Sequence, residues 1–270
     1  MPTTYAHFIF GWKAYNYLPK ELQRLIDSKK TLFQTGLHGP DILFYYRPLK
    51  DNPLVELAHN IHERSAIDFF ENARSEMGKC PDKEGALVYL VGFFFHYILD
   101  RDFHPIVSSI VGNDSAQHNR LEKELDRRLM IRENLDPLSY RPGVHLGLSP
   151  GDAEIISFFY PGVSTLQIEK SVRDMKRLLA ILVTPGKWKY RLLRLIFFLS
   201  GRQKKFGSLL MPMSPDTRYA ESSERMADLL DRSVRPAAAL ANDLYMSLSM
   251  NEGEGPLSKE LLMQMKRNFV

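Results

Sequence analysis

A single cysteine, Cys80, stands in a chain of 270 residues, so no internal disulfide can form and a reducing compartment is the natural expectation. Long hydrophobic runs are missing too. The longest, residues 87–99, has thirteen residues and contains His96, short of the roughly 18 to 20 that a membrane span needs. The opening stretch MPTTYAHFIFGWKAYNYLPK has neither a basic region ahead of a continuous apolar stretch nor a small-residue cleavage site. No secretory leader is therefore expected, and the chain reads as cytoplasmic. Strict apolar/polar alternation over strand lengths is hard to find. There is no P-loop, GxSxG or GxGxxG pattern, which leaves nucleoside-triphosphate, serine-hydrolase and Rossmann chemistries without support.

What is present is ordinary globular composition, 44% apolar and 25% charged, with apolar residues spaced by three and four along most of the chain. The expectation is an all-α fold. Gly36, Gly39, Pro40, Pro48 and Pro53 mark an irregular connection near 35–54, and a helix is expected over 84–103, ended by Pro105. Residues 136–152 hold Pro137, Pro142, Gly143, Gly147, Pro150 and Gly151, the densest turn chemistry in the chain. They are read as a connection between a metal-binding helical domain, 1–135, and a helical C-terminal extension, 153–270, packed on the first as one unit. Helical segments are expected in the extension near 152–160, 165–183, 187–200, 217–249 and 257–268.

Histidine is distributed unevenly: seven of the eight residues precede position 119, and only His145 follows. The segment GALVYLVGFFFHYILDRDFHP, 85–105, is apolar on nearly every face, which in a helix implies deep burial. It nevertheless carries His96 and Asp100 four residues apart. A buried, unpaired carboxylate is costly, and a divalent metal bound by both side chains on one helical face would offset that cost. Gly92, one turn earlier on this face, lets another backbone come close, and His104 continues the face. The spacing recurs in SAQHNRLEKELD, where His118 and Glu122 are four apart and Asp126 extends the row. AHNIHER adds His59, His62 and Glu63; His7, His38 and Asp41 complete the inventory. An isolated HxxxD or HxxxE pair is common in core helices, but two pairs within 27 residues, together with His104, favour a metal. Imidazoles and carboxylates without cysteine suit zinc in a hydrolytic site, and the high carboxylate share suits more than one ion.

The order His7, GPD with Asp41, His62, HYILD with His96 and Asp100, His104-Pro105, then His118 and Glu122 resembles the zinc-dependent phospholipase C family, related in fold to the S1/P1-type nucleases. The loop GPDILFYY strengthens the likeness, which covers about residues 1–130. The resemblance implies a multi-helix bundle of phospholipase C/P1 nuclease type with two or three zinc ions. Its ligands would be His7, Asp41, His62, His96, Asp100, His104, His118 and Glu122, and Asp41 would also orient or deprotonate the attacking water. The implied activity is phosphodiester hydrolysis on a phosphoester substrate, phospholipid among the candidates. The secreted phospholipases use the amine and carbonyl of a processed N-terminal Trp, a residue this chain does not show, so coordination by the N-terminal amine stays open. His59 and His62 both fit a helical ligand position, with His62 preferred.

Around the ligands, His38, His59, Glu63 and Asp126 are read as neighbours that orient the imidazoles, with Asp102 and Glu124 as further candidates. Tyr45, Tyr46 and Arg47 either line a substrate cleft or pack as an aromatic pair with Arg47 in water. His145 is expected to face solvent. Alternatives to the phospholipase C-like enzyme are a nuclease or nucleotidase, and a non-catalytic helical protein with structural metal. HD-type phosphohydrolases are disfavoured because no His-Asp dipeptide occurs.

Charge is uneven as well. Residues 1–150 hold 18 Lys+Arg against 19 Asp+Glu, and residues 151–270 hold 18 against 13. Residues 170–205 alone carry eleven basic residues and one acid, Asp174. Within them Trp188, Leu192, Leu195, Ile196 and Leu199 form a stripe suited to peripheral membrane contact through 187–205, or to core packing with the lysines and arginines solvated. Nucleic acid fits the charge but lacks an aromatic platform beyond Trp188 and Tyr190.

Overall fold

The computed structural model describes residues 4–50, 52–249, 257–266 and 268. Among them the chain forms thirteen α-helices and no strand: α1 (Thr4–Tyr15), α2 (Lys20–Ser28), α3 (Lys30–Gly36), α4 (Asp41–Phe44), α5 (Pro53–Glu63), α6 (Ala66–Lys79), α7 (Lys83–Val111), α8 (Ser115–Arg132), α9 (Asp152–Ser157), α10 (Thr165–Leu182), α11 (Lys187–Leu199), α12 (Ala220–Ser249) and α13 (Lys259–Met265). No helix among the described residues is long and apolar enough to cross a membrane.

The fold is arranged around α7. Its sequence is apolar on all sides, and almost every side chain from Gly85 to His104 is buried. Such a helix needs neighbours on every face, and α1, α3, α6, α8 and α12 supply them. Asp82 starts it by accepting a hydrogen bond from the Gly85 amide, an N-cap of the ordinary kind. Pro105 does not end it, contrary to the sequence expectation: the helix runs on to Val111 and stops at Gly112, whose φ is +60°. Pro105 is exposed, so the carbonyl that its ring crowds can tilt outward toward solvent. Burial of the flanking Phe103, His104 and Val107 then outweighs the local preference.

Two glycines set the distance between α3 and α7. A Cβ on Gly92 would lie 2.5 Å from the Phe33 carbonyl oxygen, and one on Gly36 would lie 2.4 Å from that of Tyr89. Only paired glycines permit this approach. Just beyond the crossing, Gly39 adopts φ +47°, and a Cβ there would lie 2.4 Å from the His96 ring. The connection to α4 is thereby folded directly onto the face of α7 that carries His96 and Asp100.

The helix α8 begins after the turn that follows α7, capped by Asp114, which accepts from the Ala116 and Gln117 amides. The long α12 buries Ala237, Ala238 and Ala241 and packs on α1, α7 and α8. Gly92→Ala should therefore destabilise the chain by about 1–3 kcal/mol, because the added methyl meets backbone that cannot move aside. Gly78→Ala, with open space at its Cβ, should be neutral or mildly stabilising. Thermal denaturation of the two variants checks this, and a Gly92→Ala midpoint equal to the parent's would contradict the account of the crossing.

Candidate metal centre

Helical spacing puts His96, Asp100 and His104 on one face of α7, and four other elements bring side chains to it. α1 supplies His7, the turn into α4 supplies Asp41, α5 supplies His62, and the first two turns of α8 supply His118 and Glu122. Asp100 lies at the middle. His7 Nε2 is 3.2 Å from its Oδ1, His96 Nε2 3.1 Å and His62 Nε2 3.6 Å from its Oδ2, and His104 Nε2 3.7 Å from its Oδ1. Asp41 Oδ1 is 3.2 Å from His62 Nε2 and 3.8 Å from His96 Nε2. On the α8 side, Glu122 Oε1 is 3.0 Å from His118 Nε2 and 3.7 Å from His104 Nε2.

These atoms form three triads, each with its ligand atoms within 4.8 Å of one another: His7, His96 and Asp100; Asp41, His62 and His96; His104, His118 and Glu122. The first two share His96, and the 3.7 Å contact between His104 and Asp100 joins the third. Asp41 Oδ1 and Asp100 Oδ2 are buried and receive no hydrogen bond of good geometry, although an imidazole nitrogen stands about 3 Å from each. At these two oxygens the carboxylates face ring nitrogens without a well-directed hydrogen bond, an arrangement that suits a shared cation, whereas His118 and Glu122 hydrogen-bond each other at 3.0 Å. The site also attracts positive charge. Burial works against charging His62, yet Asp100 and Asp41 beside it push it up to about 10. Burial opposes the charged form of His7 as well, and Asp100 outweighs it. Asp100 stays well below the usual carboxylate range despite its burial, because His96, His104 and His7 surround it, with His62 also close. Glu122 falls to about 2 against its burial, through nearby positive charge and the His118 hydrogen bond. Protons and divalent cations compete for such a set, and nitrogen and oxygen donors fit zinc.

The model of the zinc-dependent phospholipase C family matches residues 6–170. The chain belongs to this family. No characterised protein and no solved structure matches it significantly. The family match continues through the turn-rich 136–152 stretch into α10, further than the ligand motifs alone reach.

All eight residues nominated as zinc phospholipase C-type ligands come together in the three triads. Of the two α5 histidines, His62 is buried in the cluster and His59 is exposed, its ring packed 4.7 Å from Phe44. The remaining nominations divide differently from expectation. None of the four carboxylates suggested to steady the imidazoles bonds to one. Glu63 is exposed, Asp102 pairs with Arg101 and Glu124 with Arg127. Asp126 accepts from the Ala6 amide at 3.0 Å and from Lys123, so it fixes α1 one residue away from His7. The group that orients His62 is a backbone carbonyl: Nδ1 donates to Ala58 at 2.7 Å, leaving Nε2 toward the carboxylates. Tyr45 is packed in the core, Arg47 lies over the Tyr46 ring, and the Arg47 amide donates to Asp174. That is the packed-pair alternative for these three residues. Residues 1–3, and with them the N-terminal amine, lie outside the described residues.

His145 corrects the sequence reading most. It is not solvent-facing: its ring stacks on Phe8 at 4.0 Å, and its Nε2 lies 2.7 Å from His38 Nε2. The loop of residues 136–151 thereby folds back toward the His/carboxylate cluster through His38 and Phe8, which no local pattern around His145 announces. Burial, with Lys176 adding repulsion, lowers His145 to about 3, and burial with His145 alongside lowers His38 well below its ordinary value.

Two predictions follow from this geometry. Asp100→Ala should lose bound zinc, whereas Asp102→Ala should retain it, as read by metal content after gel filtration; equal losses would mean the helical face is misassigned. For His145, the folded state binds fewer protons than the unfolded chain between about pH 3 and the ordinary value of 6.5, so this group's contribution to stability grows as pH rises through that window. His145→Gln should flatten the slope of denaturant-derived stability against pH between about pH 4.5 and 6.5 relative to the parent, and an unchanged slope would rule out a buried neutral ring.

Proposed function

We propose that this chain hydrolyses a phosphodiester of the phospholipid type, releasing a phosphomonoester and an alcohol. His7, Asp41, His62, His96, Asp100, His104, His118 and Glu122 would hold two or three zinc ions. The observation that carries the reading is the fusion of three His/carboxylate triads around Asp100. When bound, zinc supplies Lewis acidity toward phosphoryl oxygens and lowers the pKa of water. The protein's own part is positional. Asp41, on the turn that the Gly36/Gly92 crossing presses against His96, is assigned to orient the attacking water and accept its proton. Asp100 holds four imidazoles in one ring. His118 is the partly open member, its side chain 22% exposed, so substrate reaches the cluster from the α8 side. Catalytic zinc keeps one coordination position open for water or substrate and structural zinc does not, and a route in from solvent is what such a position needs.

The test pairs zinc content with turnover of phosphatidylcholine, an aryl phosphodiester and a dinucleotide, before and after chelation. Chelation should abolish turnover and lower the melting midpoint substantially, because the buried carboxylates lose their counter-charge. Asp41→Asn should lower kcat by about 10²–10⁴-fold. Bound zinc without turnover of any of the three substrates, or a midpoint unmoved by chelation, would overturn the proposal.

A further inference from the structure

Helix α11 has two apolar stripes, and only one is covered. Leu193 sits in a small cluster with Leu182 and Leu210, with Tyr190 and Phe197 alongside. On the other side Trp188, Leu192, Leu195, Ile196 and Leu199 are 75, 38, 53, 47 and 74% exposed. At 3.6 residues per turn these five fall within an arc of about 100°. A surface helix of a soluble protein normally turns its polar face outward, and a contiguous exposed apolar patch marks an interaction site.

The charges say which kind. Residues 175–215 contain nine Lys+Arg and no Asp or Glu. Lys187, Arg191 and Arg194 flank the exposed stripe, and among the described residues none of the three pairs with a carboxylate. The position of the segment adds a third element. Arg202 donates to the Leu49 carbonyl at 3.3 Å, on the loop that follows Asp41 and α4. Asn119, next to His118, donates to Ser208 at 2.9 Å. The segment after α11 is thus tied to the loop that follows α4 and to the first turns of α8 beside His118, and Leu49 is itself 60% exposed.

We propose that the outer face of α11 docks on an anionic lipid surface, with Trp188, Leu192, Leu195, Ile196 and Leu199 entering the headgroup boundary and the flanking cations meeting lipid phosphates. Charge complementarity selects this occupant. A second copy related by two-fold symmetry would set the cationic stripe against itself, and a nucleic acid would leave the apolar stripe without a matching surface. The inference goes beyond the proposed hydrolysis and does not depend on it.

The test uses the zinc-loaded full chain in co-sedimentation with vesicles of phosphatidylcholine containing about three parts in ten phosphatidylserine, against pure phosphatidylcholine. Binding should be about tenfold or more stronger to the anionic vesicles and should weaken in 1 M salt, where the screening length falls to about 3 Å. Tryptophan emission should shift to the blue on binding, and Trp188→Ala should remove the shift. Leu195→Ser with Leu199→Ser, and separately Arg191→Glu with Arg194→Glu, should each weaken binding about tenfold while turnover of a soluble phosphodiester stays at the parent level. Binding indifferent to anionic lipid or to both variant pairs overturns the proposal. So does self-association by light scattering that the leucine pair abolishes, or duplex DNA binding in a chain that ignores vesicles. Vesicle binding in a chain that turns over no phosphodiester sinks the hydrolase reading alone, and turnover without vesicle binding sinks this one alone.

Discussion

Asp100 sits in the most apolar stretch of the chain, 3% exposed, between Leu99 and Arg101 on a helix whose preceding three turns are aliphatic and aromatic. An ionised carboxylate in such a place costs several kcal/mol unless positive charge surrounds it. Four imidazoles from α1, α5 and α7 do surround it. Those imidazoles cannot all be charged at such short separations without repelling one another, so the carboxylates and rings together call for a compact source of positive charge. A pair or trio of divalent ions meets that demand with fewer conflicts than shared protons do.

The rest of the architecture can be understood as delivering side chains to this point. The Gly36/Gly92 crossing presses α3 onto α7, and the turn at Gly39 then sets Asp41 against His96. Asp126 ties the Ala6 amide, so α1 presents His7 from the other side. The tight turn after α7 returns the chain as α8 and pairs His118 with Glu122 beside His104. His145 closes the ring of contacts from the 136–151 loop through His38 and Phe8.

Much of this was legible in the sequence because the helix repeat turns four-residue spacing into a shared face: HYILD and HNRLE display their His/carboxylate faces as strings. The all-α class was legible for the same reason, whereas the full set of eight residues came from the resemblance to the phospholipase C family. Other features depended on tertiary context. Pro105 lies in helix because its neighbours are buried, a circumstance invisible to a local rule. The carboxylates Glu63, Asp102 and Glu124 occupy helical faces turned toward arginines or water, and the partner of His62 Nδ1 is a main-chain oxygen, which no side-chain motif encodes. His145 reaches the site only through the path of a loop. For α11 the string carries two apolar stripes, and nothing in it says which one the core takes.

The same chain therefore joins a buried polyanionic and imidazole-rich cluster to a cationic, apolar rim, and its family membership explains the first of these. The claim on which the account rests is that the cluster around Asp100 is a multi-ion zinc site. Anomalous diffraction at the zinc edge from crystals grown with zinc tests it most directly. The account predicts two or three peaks enclosed by His7, Asp41, His62, His96, Asp100, His104, His118 and Glu122. Zinc peaks confined to surface residues, or none within that ring, would contradict it.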